Sequence, residues 1–216
     1  MIAKRDFIEG YSGDTFNQLS LTTRSLCSLK LLERQECQTL DEIDCERTYI
    51  YMITISCTKK LFDASSFVEE PDNELEDELY KWHANVFRMA KKNNLIIMNN
   101  KTRYCFILFG IRKEHYKNFK EIFLHALIEN LKAEGISEPL INNYISHANS
   151  IKFIKTYDRS VIGSMIDMVK MTEFMIEDYL PIQEMNIIEL NKMNNATPLV
   201  KLKKFPNQFM REALSM

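Results

Sequence analysis

The residues with the most chemical character are Asp158-Arg159-Ser160-Val161-Ile162-Gly163-Ser164-Met165, an acid, a base, two hydroxyls and one of only five glycines in a row of eight. They follow a short apolar run (Ile151, Phe153, Ile154) and open a mostly apolar segment that ends near Tyr179. That order fits a strand feeding the start of a helix. A helix start presents free backbone N–H groups and a positive dipole end, which suit an anion. Arg159 would add a bidentate contact to phosphate or carboxylate. Ser160 and Ser164, four apart, share one helical face, and Arg159, Gly163 and Asp167 share another. The same residues have a structural reading: Asp158 caps the helix, Arg159 pairs with a nearby carboxylate, and Gly163 allows close helix–sheet packing. Both readings stay open. The segment is neither a P-loop nor a nucleophile elbow, because G-x-x-x-x-G-K and G-x-S-x-G are absent.

Trp82 and His83 come next. The single Trp at a strand start would stack on a ring-bearing ligand or anchor the core edge. Asn85 is a ligand contact on the first view and a register residue on the second, as are Asn99 and Thr102. Cys57-Thr58-Lys59-Lys60 sets a thiol beside two ammonium groups, an arrangement that lowers a thiol pKa. No matching His or Asn can be named for it, so no catalytic residue is assigned. His115, His125 and His147 are scattered without i, i+4 spacing, and no metal site or cofactor is signalled.

The elements that must position these residues can be read from periodicity. Thr48–Ser56 alternates β-branched and aromatic residues and reads as a strand. Two strand-like runs, Ala84–Met89 and Leu95–Met98, are linked by turn chemistry at Ala90-Lys91-Lys92-Asn93-Asn94. Thr102–Phe109 makes a third consecutive strand, and the three are best joined as an antiparallel meander. Helices are expected over 115–134, 138–148, 158–178 and about 183–193, with a short strand at Ile151–Lys155. The fold class is α+β: a small antiparallel sheet of four to five strands packed against three or more helices. Residues 48–193 form that domain. Residues 1–47 are an N-terminal extension, partly helical, with Leu19, Leu26, Leu29 and Leu32 on one face. Residues 194–216 are a basic C-terminal tail, four bases against Glu212, with loop signals that include Phe205-Pro206-Asn207. Residues 63–78 hold eight acids and no base, which reads as a solvated surface.

An ordered set of short segments carries a resemblance. Cys57-Thr58-Lys59-Lys60-Leu61 follows a strand, then come Trp82-His83-Ala84-Asn85 and Asn99-Asn100-Lys101-Thr102. Leu131-Lys132-Ala133-Glu134-Gly135 and Asp158–Met165 complete it. Over about residues 52–178 the chain resembles a bacterial domain-of-unknown-function family, number 6933. Asp158 stands where Asn is common in that family, and residues 1–51 extend beyond the usual start. The resemblance implies a bacterial protein that keeps company with phages or mobile elements, and it brings no activity, substrate or partner.

Composition narrows the classes. No apolar run approaches the ~20 residues of a membrane helix. The five cysteines (27, 37, 45, 57, 105) form no C-x-x-C pair and read as reduced cytosolic thiols. A net charge of -2 gives no global reason to expect nucleic acid. The leading reading is a cytoplasmic binding or regulatory module, leaning away from an enzyme, with a protein partner or a small anionic ligand and no membrane. The first alternative is a protein or enzyme for nucleotides or phosphorylated ligands, using Arg159, Ser160 and Ser164 for the anion and Trp82 and Asn85 for the rest. The second is nucleic-acid binding through the basic tail.

Overall fold

The computed structural model describes residues 51–72, 77–146, 148–179, 186–199, 202 and 204–216, all within the unit Tyr49–Met216. The leucine pattern of residues 1–47 therefore lies outside the described residues, as do Glu74, Glu76, Lys201 and Lys203.

The chain is α+β, a five-stranded mixed sheet with helices. The strands are β1 (Tyr51–Cys57), β2 (Lys81–Met89), β3 (Lys92–Asn99), β4 (Cys105–Leu108) and β5 (Ala148–Lys155). They are arranged β4-β3-β2-β1-β5. The α-helices are α1 (Lys59–Ala64), α2 (Phe119–Ala133), α3 (Glu138–Ser146), α4 (Arg159–Tyr179), α5 (Ile187–Asn195) and α6 (Pro206–Leu214), and a 3₁₀ turn at Lys113–Asn118 leads into α2.

The meander β2–β3–β4 is antiparallel, as its short links require. The expected all-antiparallel sheet is corrected at β1, which pairs parallel to both β2 and β5. A parallel pair needs a crossover, and residues 58–80, with α1 and the acidic stretch, supply it. At sequence level that stretch reads only as solvated charge, which hides its role as a connection. The hairpin is also tighter than the expected five-residue link. Met89 pairs with Lys92, so Lys92-Asn93-Asn94 already belong to β3 and only Ala90-Lys91 turn.

Alternation along the strands divides the core into two layers. Ile55, Trp82, Ile97, Phe106 and Phe153 share one face by register. There Trp82 meets Phe106 and Phe123 edge-on, and Phe119 of α2 lies 5.8 Å from Phe153. Ser56, His83, Met98, Cys105 and Ile154 line the other face. Helix α4 covers that side, burying Val161, Met165 and Met168, which recur at helical spacing.

Helix α2 ends as its sequence dictates. Gly135 takes φ +75, and the N–H groups of Gly135 and Ile136 donate to Lys132 O and Leu131 O, a Schellman cap. Phe205-Pro206-Asn207, a loop signal by composition, instead starts α6 with proline in its first turn. Met210 of that helix is fully buried, and Asn207 and Arg211 hydrogen-bond Glu134 at the end of α2.

Both sheet edges are covered. On the β5 side, Glu70 N–H donates to Phe153 O, and the Phe67 ring stacks on Phe153 at 3.8 Å. On the β4 side, two amides of α5 replace a sixth strand. Asn195 exchanges bonds with both backbone groups of Cys105 (2.8 and 2.7 Å), and Asn191 accepts from Ile107 N–H at 2.9 Å.

Candidate functional site

The helix start singled out by sequence is closed by its own cap. Asp158 Oδ1 accepts from Ser160 N–H at 2.7 Å and Val161 N–H at 3.3 Å, which occupies donors an anion would use. Its Oδ2 lies 4.0 Å from Arg103 Nη2, so the arginine beside this carboxylate is Arg103 rather than Arg159. Arg159 is exposed and makes no ion pair among the described residues. Ser164 Oγ donates back to Ser160 O at 3.2 Å. A Cβ built on Gly163 would meet nothing within 4 Å, so the close helix–sheet packing expected there is not what this glycine provides.

Trp82 and Asn85 lie elsewhere. Trp82 is fully buried on the α2 face, its indole N–H donating to Tyr144 Oη at 3.2 Å. Asn85 sits on the opposite face of β2 and accepts from Thr58 Oγ1 at 2.9 Å. Arg159, Ser160 and Ser164 thus share the start of α4, while Trp82 lies across the sheet and is not brought to them. Cys57 is buried, and desolvation pushes its thiol up, opposite to the lowering that neighbouring lysines would give. Burial likewise pushes Cys105 up to about 12.

The polar groups that do converge surround His83. The turn between β3 and β4 is wound on Asn99, whose Oδ1 accepts from Lys101 N, Thr102 N and Thr102 Oγ1 within 3.1 Å. The turn aims Asn100 and Arg103 at the α4 face. His83, 1% exposed, faces Asn100 Oδ1 across 2.6 Å. The amide's other end donates to Glu78 Oε2 at 2.9 Å and Tyr157 Oη at 3.3 Å. A flipped amide would turn its oxygen onto the Glu78 carboxylate. Asn100 therefore presents Oδ1 to the imidazole, His83 Nδ1 carries the proton, and Nε2 is left as an acceptor. Glu78 also holds Lys81 at 3.2 Å. Arg103, in the left-handed region at φ +61, donates through Nη1 to Asn100 O. A non-glycine residue there costs about 1–2 kcal/mol, strain of the kind that collects at functional positions.

Two atoms of this cluster stand out. His83 Nε2 and Ser56 Oγ are both buried without a hydrogen-bond partner among the described residues. Ser56 and His83 are register partners on adjacent strands, so both side chains point to the same face. Tyr157, half-exposed, packs edge-to-face against the His83 imidazole, with the ring centres 5.6 Å apart. An unsatisfied buried polar atom costs about 1–3 kcal/mol, so two neighbours of this kind call for a cause.

Burial lowers the His83 pKa from its ordinary 6.5, against the opposing pull of the Asn100 bond and the nearby carboxylates. The unfolded chain therefore takes up this proton first. Stability contributed by the neutral imidazole is complete above pH 6.5 and drains away as the pH falls below it toward the folded-state value. Urea midpoints at several pH values should show this loss, and His83→Leu should flatten it.

The sequence sets His83 beside Trp82 at a strand start and marks no partner for it. Asn100, Arg103 and Tyr157 lie outside helices and strands with no periodicity to mark them, and the one signal was that the segments carrying the resemblance included Trp82-His83 and Asn99–Thr102. Among the described residues, no three His, Cys, Asp or Glu side chains group as a metal ion would require. No described helix is long and apolar enough to cross a membrane.

No curated protein and no solved structure matches the chain. The family model for Domain of unknown function (DUF6933) matches residues 54–209, from β1 into α6, and so spans every residue of the His83 cluster. With most of its length inside that match, the chain belongs to the DUF6933 family.

Proposed function

We propose that the chain is a binding module whose ligand enters beneath Tyr157 and is held by His83 Nε2 and Ser56 Oγ. The observation that carries this reading is the adjacent pair of unpartnered buried atoms on the neighbouring strands β1 and β2. A neutral imidazole with Nδ1 committed to Asn100 offers only an acceptor at Nε2. The ligand must therefore bring a donor, a hydroxyl or an amine, and the Ser56 hydroxyl rotates to accept or donate beside it. Arg103 stands at the rim for a carboxylate or phosphate on the same molecule. Isolated buried thiols at Cys57 and Cys105 suit a reducing cytoplasm.

Ser56, His83 and Asn100 are also the residue types of a nucleophile, a base and its orienting group. Binding is favoured over catalysis because Ser56 and His83 do not hydrogen-bond each other, as a nucleophile and its base would. The test is NMR of protein carrying ¹⁵N-labelled histidine, titrated with nucleosides, sugars and amino acids. A ligand should shift His83 Nε2 and the Tyr157 ring together, and His83→Leu should abolish its binding. Silence toward every probe, or a direct Ser56–His83 hydrogen bond in the free protein, overturns the reading. If Arg159→Ala abolishes binding while His83→Leu does not, the site lies instead at the start of α4.

A further inference from the structure

At the far end of β2 the chain turns into β3 through Ala90 and Lys91, with φ of 51 and 62. Positive φ at both central residues of a two-residue hairpin link is the type I′ geometry, which favours Asn-Gly. Alanine and lysine each adopt it against a steric cost of about 1–2 kcal/mol. Turn energetics alone would not place a lysine at this apex.

Hydrogen bonds gather more positive charge around it. Ile111 N–H donates to Asn93 O at 2.8 Å and Gly110 N–H to Asn94 Oδ1 at 2.9 Å, which ties the segment after β4 to the start of β3. The Lys92 stem lies against Gly110, and its ammonium stands 5.9 Å from the centre of the Phe109 ring. Arg88, Lys91 and Lys92 of the hairpin therefore share one end of the sheet with Arg112, Lys113 and, a turn further on, Lys117. All six are exposed. The only acid within 88–92 and 112–117 is Glu114, 3.6 Å from Arg112. This concentration occurs on a chain of net charge -2. The C-terminal tail, the other basic segment, has its described charges engaged: Lys204 pairs with Glu212, and Arg211 donates to Glu134 O.

We propose that this end of the sheet binds the phosphate backbone of a nucleic acid. Exposed point charges spread over two connected loops suit a line of repeated phosphates better than a single carboxylate. The surface lacks what a membrane contact adds, because the apolar neighbours Phe87, Met89, Ile111 and Tyr116 are buried and leave nothing to insert.

The test is fluorescence anisotropy of the full chain with a labelled mixed-sequence DNA duplex and a single-stranded RNA across a salt series. Contact with four or five phosphates of the duplex should give a log–log salt slope of about −4. The double variant K91E/K113E should weaken binding at least about tenfold, the scale on which a few phosphate contacts act, with its thermal melting unchanged. A90N keeps the charges and relaxes the turn; it should raise the melting temperature and leave binding intact. Absence of binding at low salt, a salt-independent signal, or full binding by K91E/K113E overturns the proposal. So does tighter retention by phosphatidylserine vesicles than by either nucleic acid, which would make the partner a membrane. Self-association that K91E/K113E abolishes overturns it too, by making the partner a second copy of the chain.

Discussion

Replacing Asn195 by Asp is expected to destabilise the chain by about 3–5 kcal/mol, on the scale of a buried unpaired charge. Asn195 is fully buried and does two things at once: Oδ1 accepts from Cys105 N–H, while Nδ2 donates to Cys105 O and to Asn191 O at 2.8 Å. Aspartate has the same shape and no donor, so it would turn an oxygen toward two carbonyl oxygens and bring a charge with it. Asn195→Ala strands both backbone groups of Cys105 and should cost about 2–5 kcal/mol. The geometry explains why a helix serves here. Four helical residues rise about 6 Å, and two strand residues about 6.7 Å. Asn191 and Asn195 therefore meet Ile107 and Cys105 in step. Urea denaturation followed by circular dichroism measures the change, and an Asn195→Asp midpoint close to the wild-type value would refute the edge-closing role.

Trp82→Ala should cost about 3–5 kcal/mol, as removal of a large buried aromatic does. The indole fills the space between β2, β4, α2 and α3, and Tyr144, which accepts its N–H, donates onward to Leu79 O at 2.8 Å. Trp82→Phe keeps a ring in place and loses the bond to Tyr144, so a loss nearer 1–2 kcal/mol is expected. Because Trp82 lies across the sheet from His83, Trp82→Phe should leave His83 titration unchanged. A His83 pKa displaced in that variant would show that the two faces are coupled, contrary to the layering described.

Much of the fold was legible because periodicity is local. The β2–β3–β4 meander, the helices at 119–133 and 159–179 and the glycine cap at 135 follow from side-chain alternation, helical spacing and backbone chemistry. Strand direction was less so. The parallel pairing of β1 depends on where residues 58–80 travel, and an acidic stretch does not announce a crossover. The site was harder still. Trp82 and Asn85 differ in parity along β2, so they could not share a pocket once the strand was assigned. Which face held the polar cluster depended on Asn100, Arg103 and Tyr157, all outside helices and strands. Buried Asn191, Asn194 and Asn195 gave α5 a solvent-like composition. Their partners lie far away in sequence, and no short-range pattern records such a bond.

The amides that close the β4 edge also set an order of events. Cys105 and Asn195 are 90 residues apart, and Ile107 and Asn191 are 84 apart. During synthesis the meander is complete long before α5 emerges, at a pace of about 5–20 residues per second. For those seconds the strand Cys105–Leu108 presents open N–H and C=O groups, the template on which strands of other molecules assemble. Docking of α5 thus ends the nascent chain's exposure to misassembly, and a ribosome that stalls before residue 191 would leave that strand unguarded.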